Sequence, residues 1–354
     1  MSSSSSSSSR FGPSSTADQV AAHLSPHIRG KTILVTGVSP GSLGYEVVEV
    51  LGRHHPRRLI LAGRDEAKMA LTRDAVLRDT GDVCIRTLAL DLARLESVRG
   101  AADEVVGMEG GIDVVINNAG IMAPAAQGET GEESRWTVDG FEKQFGVDHL
   151  GPFLFTNLIM SKLIGRDGKK RGGRVVVVSS DGHALQPVRF EDPNWTEPGS
   201  YNKWRAYGQA KPANALFARG LGDRLKHRGL SAFSLHPGII QTNLGSHIAG
   251  EDWGDLMAIK KEVFENAAKI GRESTNSNTN LEAEGPGFSY KSLQQGAATH
   301  IVAAFDPSIV NQSGEYLQDC QVDPKARELF ANDAEAASRL WALSEELVEQ
   351  KFEY

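Results

Sequence analysis

Cysteine is scarce in this chain, whose 354 residues include two, Cys84 and Cys320. Neither lies in a CxxC pair or at the spacing of zinc ligands, so a disulfide framework and a structural metal are not expected. A chain without disulfides is typical of a reducing compartment, and we expect a cytoplasmic protein. Apolar runs of the roughly 18 residues that a membrane helix needs are also missing, which argues against a membrane span. The net charge is −7. A nucleic-acid partner would call for a concentrated basic surface and is therefore not expected.

The chain begins with a run of serines over residues 2–9, without the charged start and apolar middle of a signal peptide. Such a low-complexity segment has too few apolar side chains to build a packed core. We therefore predict a disordered Ser-rich tail over residues 1–28, followed by one domain over residues 29–354.

Short apolar runs alternate with longer helix-like stretches from Lys31 onward. The runs are continuous and do not alternate with polar residues, which is typical of strands that are covered on both faces of a parallel sheet. Strand–helix alternation with right-handed crossovers predicts a doubly wound α/β sheet. The predicted strands are residues 33–36, 59–62, 85–90, 114–117, 175–178 and 231–236.

Residues 245–290 interrupt this rhythm. An amphipathic helical pattern over residues 255–270 is followed by a polar stretch over residues 273–287. The segment is interpreted either as a lid on the substrate side of a site or as a surface insertion, and both interpretations stay open.

A glycine-rich segment follows the first predicted strand and opens the first helix. Glycines at this place permit a tight turn and let backbone N–H groups approach a pyrophosphate, which then lies at the positive end of the helix. The alternative is a glycine-rich turn without a ligand, but the position directly after the first strand favours a ligand. The candidate cofactor-binding residues of this loop are Gly37, Ser39, Gly41, Leu43 and Gly44.

Further candidates for cofactor binding lie at the ends of later strands. Arg64 follows the second strand, where an arginine suits the 2′-phosphate of NADP(H) and an acidic residue suits the ribose hydroxyls of NAD(H). Asp65 comes next, so NADP(H) is preferred and NAD(H) stays open. The other candidates are Asp91 and Leu92 for the adenine, Asn118, Ala119 and Gly120 for a ribose, and Pro237, Gly238 and Thr242 for the nicotinamide.

A tyrosine and a lysine stand at positions i and i+4, Tyr207 and Lys211, and on a helix they face the same side. Reduction of a carbonyl needs an acid near the oxygen, and a tyrosine serves if a neighbouring ammonium lowers its pKa toward working pH. Ser180 follows the fifth predicted strand, at the edge where parallel sheets bind ligands. His236 ends the sixth strand and is interpreted as a packed, non-catalytic histidine.

In this order the motifs resemble those of short-chain dehydrogenases/reductases, and within them the retinol-dehydrogenase-like group common among fungal reductases. The resemblance runs from about residue 31 to about residue 347 and includes the segment 313–320. It implies a Rossmann-type sheet and an NADP(H)-dependent oxidoreductase. In that family pattern Ser180 polarises the carbonyl, Tyr207 is the acid/base, and Lys211 binds the nicotinamide ribose and lowers the pKa of the tyrosine.

The chain departs from the family pattern at three places. The third glycine of the loop is displaced by one residue, from Leu43 to Gly44, and we expect binding to survive. Asp148 stands where the family has an asparagine that helps to hold a proton-relay water. Its carboxylate is expected near Lys211, where it would partly cancel the effect of the lysine on the tyrosine, so Asp148 is counted with the catalytic candidates. Pro212 lies inside the predicted helix and removes a hydrogen bond, at a cost of about 3 kcal/mol unless a kink absorbs it.

Two functions are compatible with these features. The first is an enzyme that interconverts a carbonyl and an alcohol on a small molecule, for which the resemblance implies apolar character. The second is a catalytically weakened relative that senses NADP(H) or serves as a scaffold, and Asp148 and Pro212 are the arguments for it. A homodimer and a homotetramer are both open as assembly states.

Overall fold

The computed structural model describes residues 10–124, 135–165, 171–248, 250–269, 290–323 and 333–354. The strands in these residues are β1 (Thr32–Thr36), β2 (Arg58–Gly63), β3 (Ile85–Ala89), β4 (Val114–Asn117), β5 (Arg174–Val178), β6 (Ser231–His236), β7 (Tyr316–Gln318) and β8 (Gln321–Val322). They form one sheet in the order β3-β2-β1-β4-β5-β6-β7-β8. All neighbouring strands are parallel except β7 and β8, which are antiparallel. The predicted doubly wound parallel sheet of the Rossmann type is thus confirmed.

Helices cover both faces of the sheet. They are α1 (Ala17–Ile28), α2 (Leu43–Gly52), α3 (Glu66–Thr80), α4 (Leu95–Gly107), α5 (Lys143–Phe145), α6 (Gly151–Leu158), α7 (Met160–Leu163), α8 (Lys203–Leu225), α9 (Gly250–Lys269), α10 (Leu293–Phe305) and α11 (Ala334–Leu347). Successive residues of one strand enter different cores: Leu34 packs with α4, α6 and α8, whereas Ile33 and Val35 pack with α1, α2 and α10. Because side chains alternate across a strand, a strand between two cores is apolar at every position.

Helix α1 lies in the segment for which a tail was expected. A capping box starts the helix, and Val20, Leu24 and Ile28 are buried in the core that α1 shares with α2 and α10. The prediction of a disordered tail through residue 28 is therefore wrong for this helix. The physical reason is an apolar stripe at four-residue spacing, which can be buried on one helix face. Residues 1–9, which include the serine tract, lie outside the described residues.

Helix α8 runs through Pro212 as one element. No break in the helix accompanies the proline, although its ring removes one backbone hydrogen bond. The helix is buried along most of its length, since it packs on β5 and β6 on one side and on α11 on another. Such tertiary packing stabilises a helix more than its own propensity does, so it can tolerate the proline.

Helix α9 is the helical part of the 245–290 segment among the described residues, and it begins five residues before the predicted amphipathic pattern. Leu256 and Ile259 of α9 are buried. The helix packs against α8, so it lies beside the carboxyl edge of the sheet. The polar stretch predicted over residues 273–287 lies outside the described residues. No helix of the described residues combines the length and the apolarity that crossing a bilayer requires.

Candidate active site

The glycine loop joins β1 to α2 and is held by close backbone contacts. Gly37 and Gly41 have φ angles of +74° and +75°, which glycine adopts at little cost. A Cβ on Gly44 would lie 2.4 Å from the carbonyl oxygen of Gly37, so the displaced third glycine still provides the close approach of helix and loop. The Ser42 hydroxyl caps α2 by accepting a bond from the Tyr45 N–H (3.1 Å). The loop thus presents a helix N-terminus at the carboxyl edge of the sheet, which is where an anion would bind.

The other two candidates of this loop are Ser39 and Leu43. Ser39 is half-buried, and its carbonyl oxygen accepts a bond from the Ser42 N–H (3.0 Å). The side chain of Leu43 reaches toward α10, since a Cβ on Gly296 would lie 2.9 Å from its Cδ2. The backbone of Leu43, and not its side chain, is therefore the part that belongs to the loop.

The tips of β2 and β3 lie side by side, because the Leu90 N–H donates to the Gly63 carbonyl oxygen (2.9 Å). Arg64 is exposed at this place, and it forms no ion pair with another described residue. Asp65 is occupied as the cap of α3, where its carboxylate accepts a bond from the Lys68 N–H (3.0 Å). The arginine is thus the more available of the two charges at the strand tip.

The two candidates after β3 are held by the backbone around them. The Asp91 carboxylate accepts a bond from the Ala93 N–H (3.0 Å). Leu92 is buried against the start of α6, where a Cβ on Gly151 would lie 2.7 Å from its carbonyl oxygen. Both residues stay at the carboxyl edge of the sheet, one strand beyond Arg64.

The segment after β4 is bonded to the glycine loop. The Asn118 side chain donates to the carbonyl oxygens of Thr36 (2.9 Å) and Gly37 (3.2 Å), and the Ala119 N–H donates to the Thr36 hydroxyl (2.9 Å). Gly120 follows. These bonds join the ends of β1 and β4, so the candidates for the phosphate and ribose ends of a cofactor lie in one continuous surface.

Ser180, Tyr207 and Lys211 come together at the same edge. Tyr207 and Lys211 lie one turn apart on α8, with the lysine Nζ 4.9 Å from the centre of the tyrosine ring. A Cβ on Gly182 would lie 2.7 Å from the Tyr207 ring and 3.4 Å from the Ser180 Oγ, so this glycine leaves room for the ring beside the serine. The Ser179 hydroxyl donates to the Lys211 carbonyl oxygen (2.7 Å) and ties the end of β5 to α8.

Asp148 lies in a π-helical turn, Gly146–Leu150, between α5 and α6. Its Oδ2 is 2.7 Å from the Lys211 Nζ, and the two side chains are 0% and 7% exposed. Its Oδ1 accepts a bond from the Ile121 N–H (2.8 Å). A π-turn inserts one residue into a helix and so redirects a side chain, and such turns are frequent at functional sites. The expected carboxylate beside Lys211 is thus found.

The charges around the tyrosine differ in their effects on its pKa. Burial lowers the pKa of Lys211, but Asp148 and Tyr207 together outweigh burial and the pKa of the lysine is raised. Burial raises the pKa of Tyr207, Lys211 and Ser180 lower it, and Asp148 and Asp181 raise it again. In the protein by itself the net result is a raised pKa of Tyr207. Lys211 acts in the expected direction, but burial and the two carboxylates are stronger.

The loop after β6 returns to the glycine loop. The Asn243 side chain donates to a carbonyl oxygen of that loop (3.4 Å), and Thr242 caps the short turn that contains Asn243. Pro237 is buried directly after β6. Gly238 has a φ of +95°, and a Cβ there would lie 2.6 Å from the Lys291 side chain. The three candidates for the nicotinamide therefore lie between the glycine loop and the end of β6.

An apolar cluster lies between α9 and the Ser180 segment. Its buried members are Ala123, Leu185, Trp204, Leu256 and Ile259, and Met122, Ile248, Trp253 and Val263 pack at its border. Leu185 comes shortly after Ser180 in the chain, and Trp204 lies one turn before Tyr207 on α8. Apolar side chains of α9 thus lie against the segment that follows Ser180 and the first turn of α8.

Three residues at this edge were not among the sequence candidates: Thr36, Asp181 and Lys260. Thr36 opens the glycine motif and Asp181 directly follows Ser180, so both positions could have been singled out from their neighbours. Lys260 carries no such signal, because only folding brings α9 to the Asp181 carboxylate (3.6 Å). His236 is buried, as expected of a packed histidine, and its Nδ1 accepts a bond from the Asp181 N–H (3.2 Å).

Comparison with known proteins gives relatives over nearly the whole chain. The family model described as short chain dehydrogenase matches residues 31–191. Retinol dehydrogenase 14 of Homo sapiens is 34% identical over 91% of this chain and 87% of its own length. Oxidoreductase fscI of Fusarium equiseti is 32% identical over 64% of this chain and 94% of its own. The crystal structure of an uncharacterized protein from Mycobacterium paratuberculosis superposes with a TM-score of 0.61, at 30% identity, over 92% of this chain and 96% of that one.

Proposed function

The chain belongs to the short-chain dehydrogenase family, and from this membership we propose that it is an NADP(H)-dependent oxidoreductase that interconverts a carbonyl and an alcohol on a small apolar molecule. The relatives that it resembles include retinol dehydrogenases and a fungal oxidoreductase, as the motifs implied. The observation that carries the proposal is the meeting of Ser180, Tyr207 and Lys211 beside the glycine loop at one edge of the sheet.

The residues present fit a dinucleotide cofactor. A Cβ on Gly41 would meet only the Asn243 side chain, at 3.7 Å, so the loop is open on the side that faces the carboxyl edge. The N-terminus of α2 would receive the pyrophosphate, and the exposed guanidinium of Arg64 would receive the 2′-phosphate. Lys211 and the segment Asn118–Gly120 would hold the nicotinamide ribose. The bound nicotinamide supplies or accepts the hydride.

The chain's own residues handle the proton and orient the substrate oxygen. Ser180 presents a hydroxyl that can donate to that oxygen. Tyr207 gives a proton to it when a carbonyl is reduced and takes one when an alcohol is oxidised. Lys211 lowers the pKa of Tyr207, while burial and the Asp148 carboxylate raise it. With its pKa raised, Tyr207 is in the protonated form that the reduction step needs from an acid.

The apolar cluster beside the site supports an apolar substrate. Leu185, Leu256 and Ile259 are buried members of this cluster, which joins α9 to the segment after Ser180. A molecule bound there would bury apolar surface, which is favourable by about 25 cal/mol per Å². The substrate within this class is left to experiment.

Turnover by the wild type and by Tyr207→Phe tests the proposal. Purified protein is offered a panel of apolar aldehydes and ketones while NADPH absorbance is followed. We expect turnover by the wild type, loss of it in Tyr207→Phe with NADPH binding retained, and full activity in Tyr354→Phe, a control whose hydroxyl bonds Asn157 far from the site. Binding of NADPH by both proteins with turnover by neither would support an NADP(H) sensor or scaffold instead.

Cofactor preference has a test that needs no substrate. NADPH is expected to raise the melting temperature more than NADH does at equal concentration, because binding to the folded state stabilises it. Arg64→Ala should remove this difference, and Arg78→Ala, which replaces another exposed arginine, should preserve it. Stronger stabilisation by NADH would contradict the assignment of Arg64 to the phosphate.

The cysteines support the proposed cytoplasmic location. Cys84 and Cys320 are both free thiols, as is usual in a reducing compartment. Fractionation of cells that produce the tagged protein tests this, and recovery of the protein with a membrane or organelle fraction would contradict it.

A further inference from the structure

The hydroxyl group of Ser180 is held by the residue that follows it. Its Oγ donates to the Asp181 Oδ1 (3.1 Å) and accepts a bond from the Gly182 N–H (3.1 Å). The second carboxylate oxygen of Asp181 lies 3.6 Å from the Lys260 Nζ of α9. The side chains of Asp181 and Lys260 are 28% and 17% exposed, so solvent screens this pair only in part.

A hydroxyl group has one proton to donate. While that of Ser180 is directed to Asp181, it cannot also be donated to a substrate oxygen. A carboxylate is a stronger acceptor than a neutral carbonyl, so Asp181 competes with the substrate for the proton. A cation beside the carboxylate weakens it as an acceptor, and Lys260 is placed to do this.

We propose that Asp181 is a positioning residue that orients the Ser180 hydroxyl group, and that Lys260, carried by α9, weakens this hold so that the serine can donate to the substrate. Docking of α9 is thereby coupled to the ability of the Ser180 hydroxyl group to donate its proton to the substrate. The inference rests on the proposed function for its catalytic consequence, but the coupling itself concerns the resting protein.

Anchoring of α9 does not require this pair. Lys203 of α8 bonds Asp252, and Arg205 of α8 pairs with Glu262 (2.8 Å). The apolar cluster around Leu256 joins the same two helices. Lys260 differs from the residues of these two pairs because its partner, Asp181, directly follows Ser180. The Arg205–Glu262 pair therefore serves as a matched control.

The pKa values of Asp181 and Tyr207 depend on the charged groups that face them. Burial raises the pKa of Asp181, but His236, Lys260, the Ser180 bond and His183 outweigh it, and the pKa is lowered. Asp181 therefore stays ionised at neutral pH. Tyr207 is faced by Lys211, Asp148 and Asp181, and a Ser180 hydroxyl that donates to the phenol oxygen instead of to Asp181 lowers the pKa of Tyr207. Any change in how Asp181 holds Ser180 should thus appear in the pKa of Tyr207.

The first experiment measures ionisation of Tyr207 in the resting protein by tyrosinate difference absorbance, with Tyr207→Phe as the reference. Asp181→Asn removes a carboxylate that raises the Tyr207 pKa, so the pKa should fall. Lys260→Met leaves Asp181 uncompensated and holding the serine proton, so the pKa should rise. Glu262→Gln should change neither. An unchanged Tyr207 pKa in both Asp181→Asn and Lys260→Met would overturn the inference, whether or not the wild type turns over a substrate.

The second experiment uses a carbonyl that the wild type reduces. Lys260→Met should lower kcat by about tenfold, the order of one hydrogen bond to a charged group, with KM nearly unchanged. Adding Asp181→Asn to Lys260→Met should restore kcat, because the competing carboxylate is gone. Glu262→Gln should behave as the wild type. Equal losses in Lys260→Met and Glu262→Gln, or no rescue in the double variant, would show that Lys260 only anchors α9. Absence of turnover by the wild type would refute the proposed function and leave the titration to decide the inference.

Discussion

Replacement of Asp148 by alanine is expected to lower the free energy of unfolding by about 3–5 kcal/mol, the usual cost of breaking a buried ion pair by removing one partner. Asp148 and Lys211 are both buried. The variant therefore leaves an ammonium group in a site where its charge is desolvated and has lost its counter-charge.

The distance between the two charges gives the scale of the effect. With 2.7 Å between Nζ and Oδ2, their attraction is about 6 kcal/mol at an effective dielectric constant of about 20. Removing each ion from water costs several kcal/mol, so the intact pair contributes little net stability. The single variant loses the attraction and keeps the cost of burying the lysine.

Urea unfolding of Asp148→Ala, Lys211→Met and the double variant measures these free energies, provided that the dependence on urea stays unchanged. The double variant should lose clearly less than the sum of the two single losses, since it buries no unpaired charge. Asp223→Ala, which breaks a partly exposed pair with Arg219, should cost less than about 1 kcal/mol. Additive losses, or wild-type stability of Asp148→Ala, would refute the reasoning.

The same position has a consequence for the pH dependence of activity. Asp148→Asn keeps an oxygen that can accept the Lys211 bond but removes a carboxylate that raises the pKa of Tyr207. The pKa of Tyr207 should fall. Carbonyl reduction needs the protonated phenol, so the alkaline limb of its pH profile should move to lower pH. A limb that stays in place or moves to higher pH would contradict the assigned role of Asp148.

Three further predictions concern the fold and the loop. Leu24→Ala should lower the free energy of unfolding by about 2–5 kcal/mol, because this residue of α1 is buried. Leu71→Ala, at an exposed leucine, should change the free energy of unfolding little. Equal urea midpoints for the two variants would mean that α1 is not packed. Gly44→Ala should weaken NADPH binding in a thermal-shift assay, because its Cβ would lie 2.4 Å from a carbonyl oxygen of the loop, and Gly100→Ala, with open space around it, should preserve binding. Burial raises the pKa of Glu142 from 4.5 to about 7. The charged form of Glu142 therefore destabilises the folded state increasingly as pH rises from 4.5 to 7. Glu142→Gln should melt at a higher temperature than the wild type at pH 8, and this difference should shrink toward pH 5.

Much of the sheet could be predicted because its signal is local. For strands β1, β2 and β4 to β6, each observed end differs from the predicted one by at most one residue. β7 and β8 were not predicted as strands, since they are only three and two residues long. Helix α1 was missed because the serine tract before it suggested a tail, although its apolar spacing is helical.

The candidate site divides in the same way. The glycines, Ser180 and the Tyr207–Lys211 pair are visible in the chain because each depends on a residue type at a fixed spacing or at a strand end. The pairing of Asp148 with Lys211 was expected from the family pattern, but its burial, and with it the raised pKa of Tyr207, came from the structure.

By itself the sequence determined the first six strands, their order along the chain and the chemistry available at the sheet edge, since these follow from local spacing and residue type. Only the tertiary structure decided how deeply Asp148 and Lys211 are buried together and that Lys260 of α9 reaches Asp181. Such contacts join residues far apart in sequence, and their strength depends on burial, which local pattern does not encode.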